Sequence, residues 1–291
     1  MQNINEDTIT QAVIASLARC DRPRLRTIMT SLVQHLHAFA RDVALTEDEW
    51  AQAIAFLTEV GHITDDKRQE FILLSDTLGL SMLVTTQNNV KPSNCTEATV
   101  FGPFFVEGSP VYQNGDDISN GAHGAPCYVS GQIRGVGGEP IPFAHLDVWQ
   151  SDEDGFYDVQ TPDASGETVM RARGRLTTDE HGRFHFRSIL AEAYPIPHDG
   201  PVGRMLAATG RHPWRPAHLH FMIAAPGFET LVTHVFRNGD PYLDSDVVFG
   251  VRSTLIADWI EHAPGTAPDG TRFDAPWYSL DFDFVLNAGA A

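Results

Sequence analysis

Two histidines stand two residues apart in Arg215-Pro216-Ala217-His218-Leu219-His220-Phe221. In a strand, alternate side chains share a face, so both imidazoles can reach one point. Pro216 suits a strand entry, where a missing N–H does little harm. The spacing is wrong for a helical HExxH zinc site, and the pair alone reads more readily as two partly exposed surface histidines than as a metal site. Two tyrosines add to it. Tyr157 closes the acidic turn Trp149-Gln150-Ser151-Asp152-Glu153-Asp154-Gly155-Phe156-Tyr157, and Tyr194 lies in Ala193-Tyr194-Pro195-Ile196-Pro197. Each tyrosine alone reads as a core or rim residue whose hydroxyl caps a backbone group. With the histidines they form a set of two imidazoles and two phenols.

That set has a defined chemistry. A phenolate is a hard anionic oxygen donor that favours ferric iron over softer metals, and tyrosine ligates haem iron in catalase. Free tyrosine has a pKa of about 10, so the metal must hold it ionised. Two phenolates would stabilise Fe(III) against reduction. Such a centre would activate an organic substrate by coordinating it. Other readings stay open: a zinc hydrolase using His218, His220 and a carboxylate, or a non-catalytic sandwich with structural histidines. The acidic turn at Asp152 and Asp154 lacks EF-hand spacing and reads as a solvated β-turn. His35 and His37 are two apart on a helix, point apart, and read as surface residues.

The elements that must position these groups fall into two textures. Before residue 95, Gly and Pro are scarce and the apolar spacing is helical. Residues 7–20 predict a first helix and 24–43 a second, with Leu25, Ile28, Leu32, Leu36 and Phe39 on one face. Thr46-Glu47-Asp48-Glu49 is a capping box opening a third helix, expected to end near Gly61. Residues 65–88 predict a fourth. After residue 98, turn signals separate short runs rich in Val, Phe and Ile. Strands are expected at 127–134, 144–150, 170–177, 182–189, 218–224, 230–236 and 282–286, a number that suits a sandwich or barrel. The stretch 190–217 holds five prolines and reads as one long ordered loop.

Composition bounds the rest. The chain has 291 residues, 20 basic and 38 acidic, for a formal charge of −18. Such a surface repels phosphate backbones and anionic lipid heads, so neither nucleic acid nor a membrane is an expected partner. Hydrophobic residues at 42% supply ample core. Cys20, Cys95 and Cys127 are far apart and suit a reducing compartment. The polar N-terminus has no signal-peptide pattern, so a cytoplasmic protein is expected.

Taken together, Trp149-Gln150-Ser151-Asp152 through Gly155-Phe156-Tyr157, Arg171-Ala172-Arg173-Gly174, Tyr194-Pro195-Ile196-Pro197 and Trp214–Phe221 resemble the intradiol ring-cleaving dioxygenases in order, type and spacing. The helical N-terminal part is similar to that of the catechol and hydroxyquinol branch. The resemblance implies an α+β fold: a helical dimerisation domain over residues 1–98, then a mostly antiparallel β-sandwich catalytic domain over 99–291. It implies non-haem Fe(III) held by Tyr157 and His218 equatorially and by Tyr194 and His220 axially. The aromatic diol would bind through both oxygens and displace Tyr194. O2 would then enter the ring and open it to a dicarboxylate, with no external reductant. Arg215 would stabilise charge developing on the substrate carbon. The implied assembly is a homodimer through the N-terminal helices, with phospholipid bound between subunits.

Phe71-Ile72-Leu73-Leu74-Ser75-Asp76, Leu231-Val232-Thr233-His234 and Asp240–Asp246 look like the hydroxyquinol 1,2-dioxygenase branch, where catechol-cleaving relatives usually carry Gln at the place of His234. Leu73 and Asp76 share a helix face. If that face lines the pocket, Asp76 can accept a hydrogen bond from a third ring hydroxyl, and otherwise it is a solvated helix residue. Val100, Phe101 and Gly102 would form a pocket wall at the domain junction, with Ile196 and His234 completing it. Hydroxyquinol is the expected substrate, giving 3-hydroxy-cis,cis-muconate or its tautomer maleylacetate, and catechol, giving cis,cis-muconate, is the alternative. One departure stands out. Relatives commonly have Pro ahead of the second tyrosine, whereas here the run Leu190-Ala191-Glu192-Ala193 predicts a looser loop.

Overall fold

The computed structural model describes residues 3–65, 68–161 and 168–289. The chain divides into two compact units, one ending at His62 and the other beginning at Ile63. The helices of residues 70–88 therefore belong with the sheets, although the composition changes only near residue 95.

The first unit is helical: Ile9–Ser16, Pro23–Asp42 and Glu47–Ile63. Pro23 opens the second helix, at a position where its missing N–H is not needed. Arg41 ties the first helix to the second through the Glu6 carbonyl (2.7 Å) and the Thr10 hydroxyl (2.9 Å). The capping box forms as expected. The Thr46 amide donates to Glu49 at 2.9 Å, and the Glu49 amide donates to the Thr46 hydroxyl at 3.3 Å. Gly61 does not end that helix. One interior glycine costs only about 1 kcal/mol relative to alanine, too little to stop it. The second helix buries none of its residues, and Leu25, Ile28, Leu32, Leu36 and Phe39 are 36–55% exposed.

In the second unit, the helix expected over 65–88 is two helices, Glu70–Thr77 and Leu80–Asn88. Gly79 parts them with φ +74°, a left-handed conformation open to glycine, and its amide closes on the Asp76 carbonyl at 2.9 Å. Two five-stranded sheets follow. In one, Pro126–Gly135 pairs antiparallel with Arg183–Ile189 and parallel with Trp277–Asp281 and then Phe284–Leu286. Where the parallel partner changes, Gly131 leaves no space: a Cβ there would lie 1.9 Å from the Phe282 carbonyl oxygen. The other sheet runs in the order Arg173–Thr177, His145–Gln150, His218–Ala224, Leu231–Arg237, Ile256–Ala257. The sheets are mixed and mostly antiparallel. Val129, Ile133, Phe184, Phe186, Leu146, Val148, Leu219, Phe221 and Phe284 build the core.

The stretch 190–217 is not one loop. It holds the helix Pro201–Ala208 and an antiparallel pair, Tyr194–Pro195 with Trp214–Arg215. Gly200 followed by Pro201 at the first helical position was the available signal. The strand Trp277–Asp281 escaped the sequence reading because its central partner lies some 150 residues away, with no hairpin turn to mark it.

Candidate metal centre

The strand His218–Ala224 is buried on both faces. Leu219, Phe221 and Ile223 enter the core, while His218 and His220 point the other way and are each 1% exposed. Register places His220 between Trp149 on one neighbouring strand and His234 on the other. The Trp149 indole stacks on the His220 ring at 4.6 Å. Gly102 (φ +77°) lies against the same ring, and a Cβ there would stand 3.2 Å from Cε1. The three rings converge: His218, His220 and His234 are the group of three among the described residues able to hold a metal ion, their nearest ligand atoms within 4.8 Å of one another.

The two tyrosines arrive on separate elements. Tyr157 caps the short helix Asp158–Gln160 and is held from below by a buried arginine. Arg173 clamps Asp158 through Nε at 2.6 Å and reaches the Phe104 carbonyl at 2.9 Å, and Phe104 stacks on the Tyr157 ring at 4.3 Å. In the sequence Arg173 stands within the run Arg171–Gly174, and nothing local marks Asp158 or Phe104 as its partners. Tyr194 sits directly opposite Arg215 in the short antiparallel pair. The loop before it is not loose. Arg237 holds the Ala191 carbonyl (3.0 Å) and the Glu192 carboxylate (2.8 and 2.9 Å), and the Ser151 hydroxyl donates to the Glu192 carbonyl at 3.1 Å. Charge pairing replaces the rigidity a proline would give.

The donor atoms meet in one spot. The Tyr157 hydroxyl is 2.9 Å from His220 Nε2, which is 3.1 Å from His218 Nε2. Arg215 Nη1 donates to the Tyr194 hydroxyl at 3.4 Å and lies 3.3 Å from His218 Nε2. Burial pushes the Tyr157 phenol well above its usual value, and neighbouring Tyr194 adds to this. Burial, with Arg215 beside it, lowers His218 to about 3. Burial and the neighbouring cationic forms also drive His220 and His234 well below the usual histidine range. Burial opposes the Arg215 charge, but Asp246 more than offsets it, so the guanidinium stays protonated.

A small cavity of about 160 Å³ is lined by Leu73, Asp76, Pro103 and Pro197, with Arg68, Gln69, Glu70 and Ile72. Leu73 and Asp76 thus share a face on the helix Glu70–Thr77, and Asp76 is 6% exposed, which removes the reading of a solvated residue. Burial raises its carboxyl pKa against the opposing pull of Ser81 and Arg215. Val100 and Ile196 are buried, and neither lines this cavity. Phe101 is half-exposed, packs edge-on against Phe105 at 4.8 Å and does not line this cavity.

Comparison with known proteins places this geometry. The family model "Dioxygenase" matches residues 100–288, and "Catechol dioxygenase N terminus" matches residues 22–96. The 6-chlorohydroxyquinol 1,2-dioxygenase of Cupriavidus pinatubonensis is 60% identical over 99% of both chains. The chain belongs to the intradiol dioxygenases. The hydroxyquinol 1,2-dioxygenase of Rhodococcus opacus is 52% identical over 97% of this chain and 93% of its own. The crystal structure of the hydroxyquinol 1,2-dioxygenase from Pseudomonas putida DLL-E4 superposes with a TM-score of 0.90 at 45% identity, covering 98% of this chain and 99% of its own.

As an intradiol dioxygenase, an oxidoreductase of a family that uses non-haem iron, the chain must offer a fitting donor set, and it does. The His218 Nδ1 lies 2.7 Å from the Pro216 carbonyl, which only accepts, so the proton sits on Nδ1 and Nε2 presents a bare lone pair to the centre. The Tyr157–His220 and His220–His218 donor separations of 2.9 and 3.1 Å would let these groups share one ion. Among the described residues, His220 Nδ1 and His234 Nε2 are buried polar atoms with no protein partner. The nearby Asp246 carboxylate is taken by Arg215.

The neutral histidines set the acid response of the iron-free protein. Their folded pKa values lie below the unfolded value of about 6.5, so the unfolded chain binds more protons as the pH falls. Stability is full above about pH 6.5 and declines toward pH 3, where His218 titrates in the folded state. Urea midpoints of the iron-free protein at pH 8, 6.5 and 5 are expected to fall somewhat at the second, where the unfolded imidazoles are half-protonated, and much further at the third. A flat series would contradict buried neutral imidazoles.

Proposed function

We propose that this chain is an Fe(III) hydroxyquinol 1,2-dioxygenase. Its iron would be held by Tyr157, Tyr194, His218 and His220. The observation that carries the substrate is the buried Asp76 carboxylate beside Leu73 in the small cavity. The carboxylate takes one hydrogen bond from Ser81 and has further lone pairs to offer, and a third ring hydroxyl would supply a second donor where catechol offers only hydrogen. Val100, Gly102, Ile196 and His234 would complete the surround. The names and identities of the relatives support the same reading.

Iron(III), when bound, would draw electron density from the coordinated diol and make its ring carbon reactive toward O2. The residues do the rest. Tyr194, held as a phenolate in the loaded protein, would take a proton from the incoming substrate at its phenolic oxygen, and Arg215 would steady the negative charge that builds on the ring. Phe104, Trp149 and Gly102 keep bulk water from the donors. Both atoms of O2 enter the product as the bond between the two vicinal hydroxylated carbons breaks, giving 3-hydroxy-cis,cis-muconate, the tautomer of maleylacetate, and the substrate supplies all the electrons. Oxygen uptake with hydroxyquinol and catechol side by side tests this. Faster uptake with hydroxyquinol is expected, and a strong preference for catechol would overturn the substrate.

The working division for function is proposed at residues 1–98 and 99–291, a boundary supported by the family models stopping at 96 and resuming at 100. A homodimer through the N-terminal helices is supported by the uncovered apolar stripe from Leu25 to Phe39, and a phospholipid chain would suit the same stripe. Light scattering should give twice the 32.0 kDa chain mass, falling to one chain when Leu32 and Leu36 become Glu. A monomeric wild type would sink this. The described residues contain no helix long and apolar enough to cross a membrane. The free Cys20, Cys95 and Cys127 suit a cytoplasmic protein.

A further inference from the structure

Arg215 carries five N–H bonds, and the structure gives each a neighbour. Nε lies 3.1 Å from Asp246 Oδ1, and Nη2 lies 3.3 Å from Asp246 Oδ2 and 3.5 Å from His234 Nδ1. Nη1 faces the Tyr194 hydroxyl and His218 Nε2, at 3.4 and 3.3 Å. The guanidinium is planar, so a carboxylate gripping the edge formed by Nε and Nη2 fixes the direction of Nη1.

Asp246 is itself fixed. The Val248 amide donates to Oδ1 at 3.3 Å and the Gly250 amide to Oδ2 at 2.9 Å. Between them Phe249 adopts φ +59°, a strained conformation for an aromatic residue, with its amide on the Asp246 carbonyl at 3.0 Å and Arg211 5.0 Å over its ring. Residue 250 must be bare: a Cβ there would stand 2.9 Å from Arg215 Nη2 and 3.1 Å from Asp246 Oδ2. A buried ion pair is weak support for stability, and a left-handed phenylalanine costs stability. What both secure is the direction of one guanidinium.

We propose that Asp246 is a positioning residue: its carboxylate, set by the 246–250 loop, aims Arg215 at the charge that develops on the substrate. This rests on the role given to Arg215 under Proposed function. Asp246 touches neither the donors nor the cavity that holds Asp76.

The test compares wild type, Asp246→Asn, Arg215→Lys and the double variant, each with iron content, anaerobic affinity for a diol and kcat with hydroxyquinol. Asp246→Asn keeps the side chain's size and loses one grip and the charge. Its kcat is expected to fall on the order of 10²-fold, the scale for a misplaced group, with iron content and KM near wild type. The double variant should be no slower than Arg215→Lys, because the two residues act as one unit. Losses that multiply, a wild-type kcat in Asp246→Asn, or loss of iron from it would each overturn the proposal. Should Asp246→Asn fail to fold, Gly250→Ala displaces Nη2 without removing a charge. It is expected to lower kcat while keeping iron and colour, and a wild-type rate there overturns the idea. A wild-type protein inert toward hydroxyquinol removes the functional reading and this proposal with it. That result appears in the first assay, before any variant is compared.

Discussion

Tyr157→Phe protein is expected to lose most of its visible absorption and on the order of 10³ in turnover, the upper range for removing one preorganised group at a reacting centre. Tyrosinate bound to Fe(III) absorbs visible light by charge transfer, and phenylalanine has no oxygen to donate. The variant isolates that oxygen. The ring still stacks on Phe104 as the native one does at 4.3 Å, so packing is preserved. The iron-free protein loses the hydroxyl contacts to His220 and Tyr194, about 1–3 kcal/mol for a buried partner left unpaired. Iron content, the visible spectrum and oxygen uptake on one preparation check the result. Undiminished colour in Tyr157→Phe would take the ligand role from this residue.

Asp76→Ala is expected to lower kcat/KM for hydroxyquinol about 10- to 100-fold, the worth of a hydrogen bond to a charged group, and to leave catechol unchanged or improved. The asymmetry follows from burial. In the native protein a catechol ring leaves the carboxylate with Ser81 as its hydrogen-bond donor and no ligand hydroxyl, and a site that also bonds a substrate hydroxyl disfavours an analogue that lacks it. Alanine removes both the reward and the penalty. Equal losses on both substrates would make Asp76 a support of the helix Glu70–Thr77 and nothing more.

The donor set was legible because its logic is local. Histidines two apart on a strand must share a face, and the strand His218–Ala224 has the bounds its sequence predicts. Hairpin strands were legible within a few residues, since turn chemistry marks their ends. What escaped depends on distant partners. Nothing near Asp246 says that its carboxylate faces Arg215, 31 residues earlier. Nothing near Phe104 says that it covers Tyr157. The helix Pro201–Ala208 hid among prolines that read as loop, although Pro201 opens it. The run before Tyr194 looked slack because its restraint comes from Arg237, at the end of another strand.

Leu219 stands between the two ligand histidines with its side chain turned into the core. A truncation there would open a void in the sandwich, and the backbone that relaxes toward that void is the same backbone that carries both imidazoles. Heat tolerance and chemistry are therefore coupled along this strand, and a substitution at Leu219 or Phe221 acts on both at once.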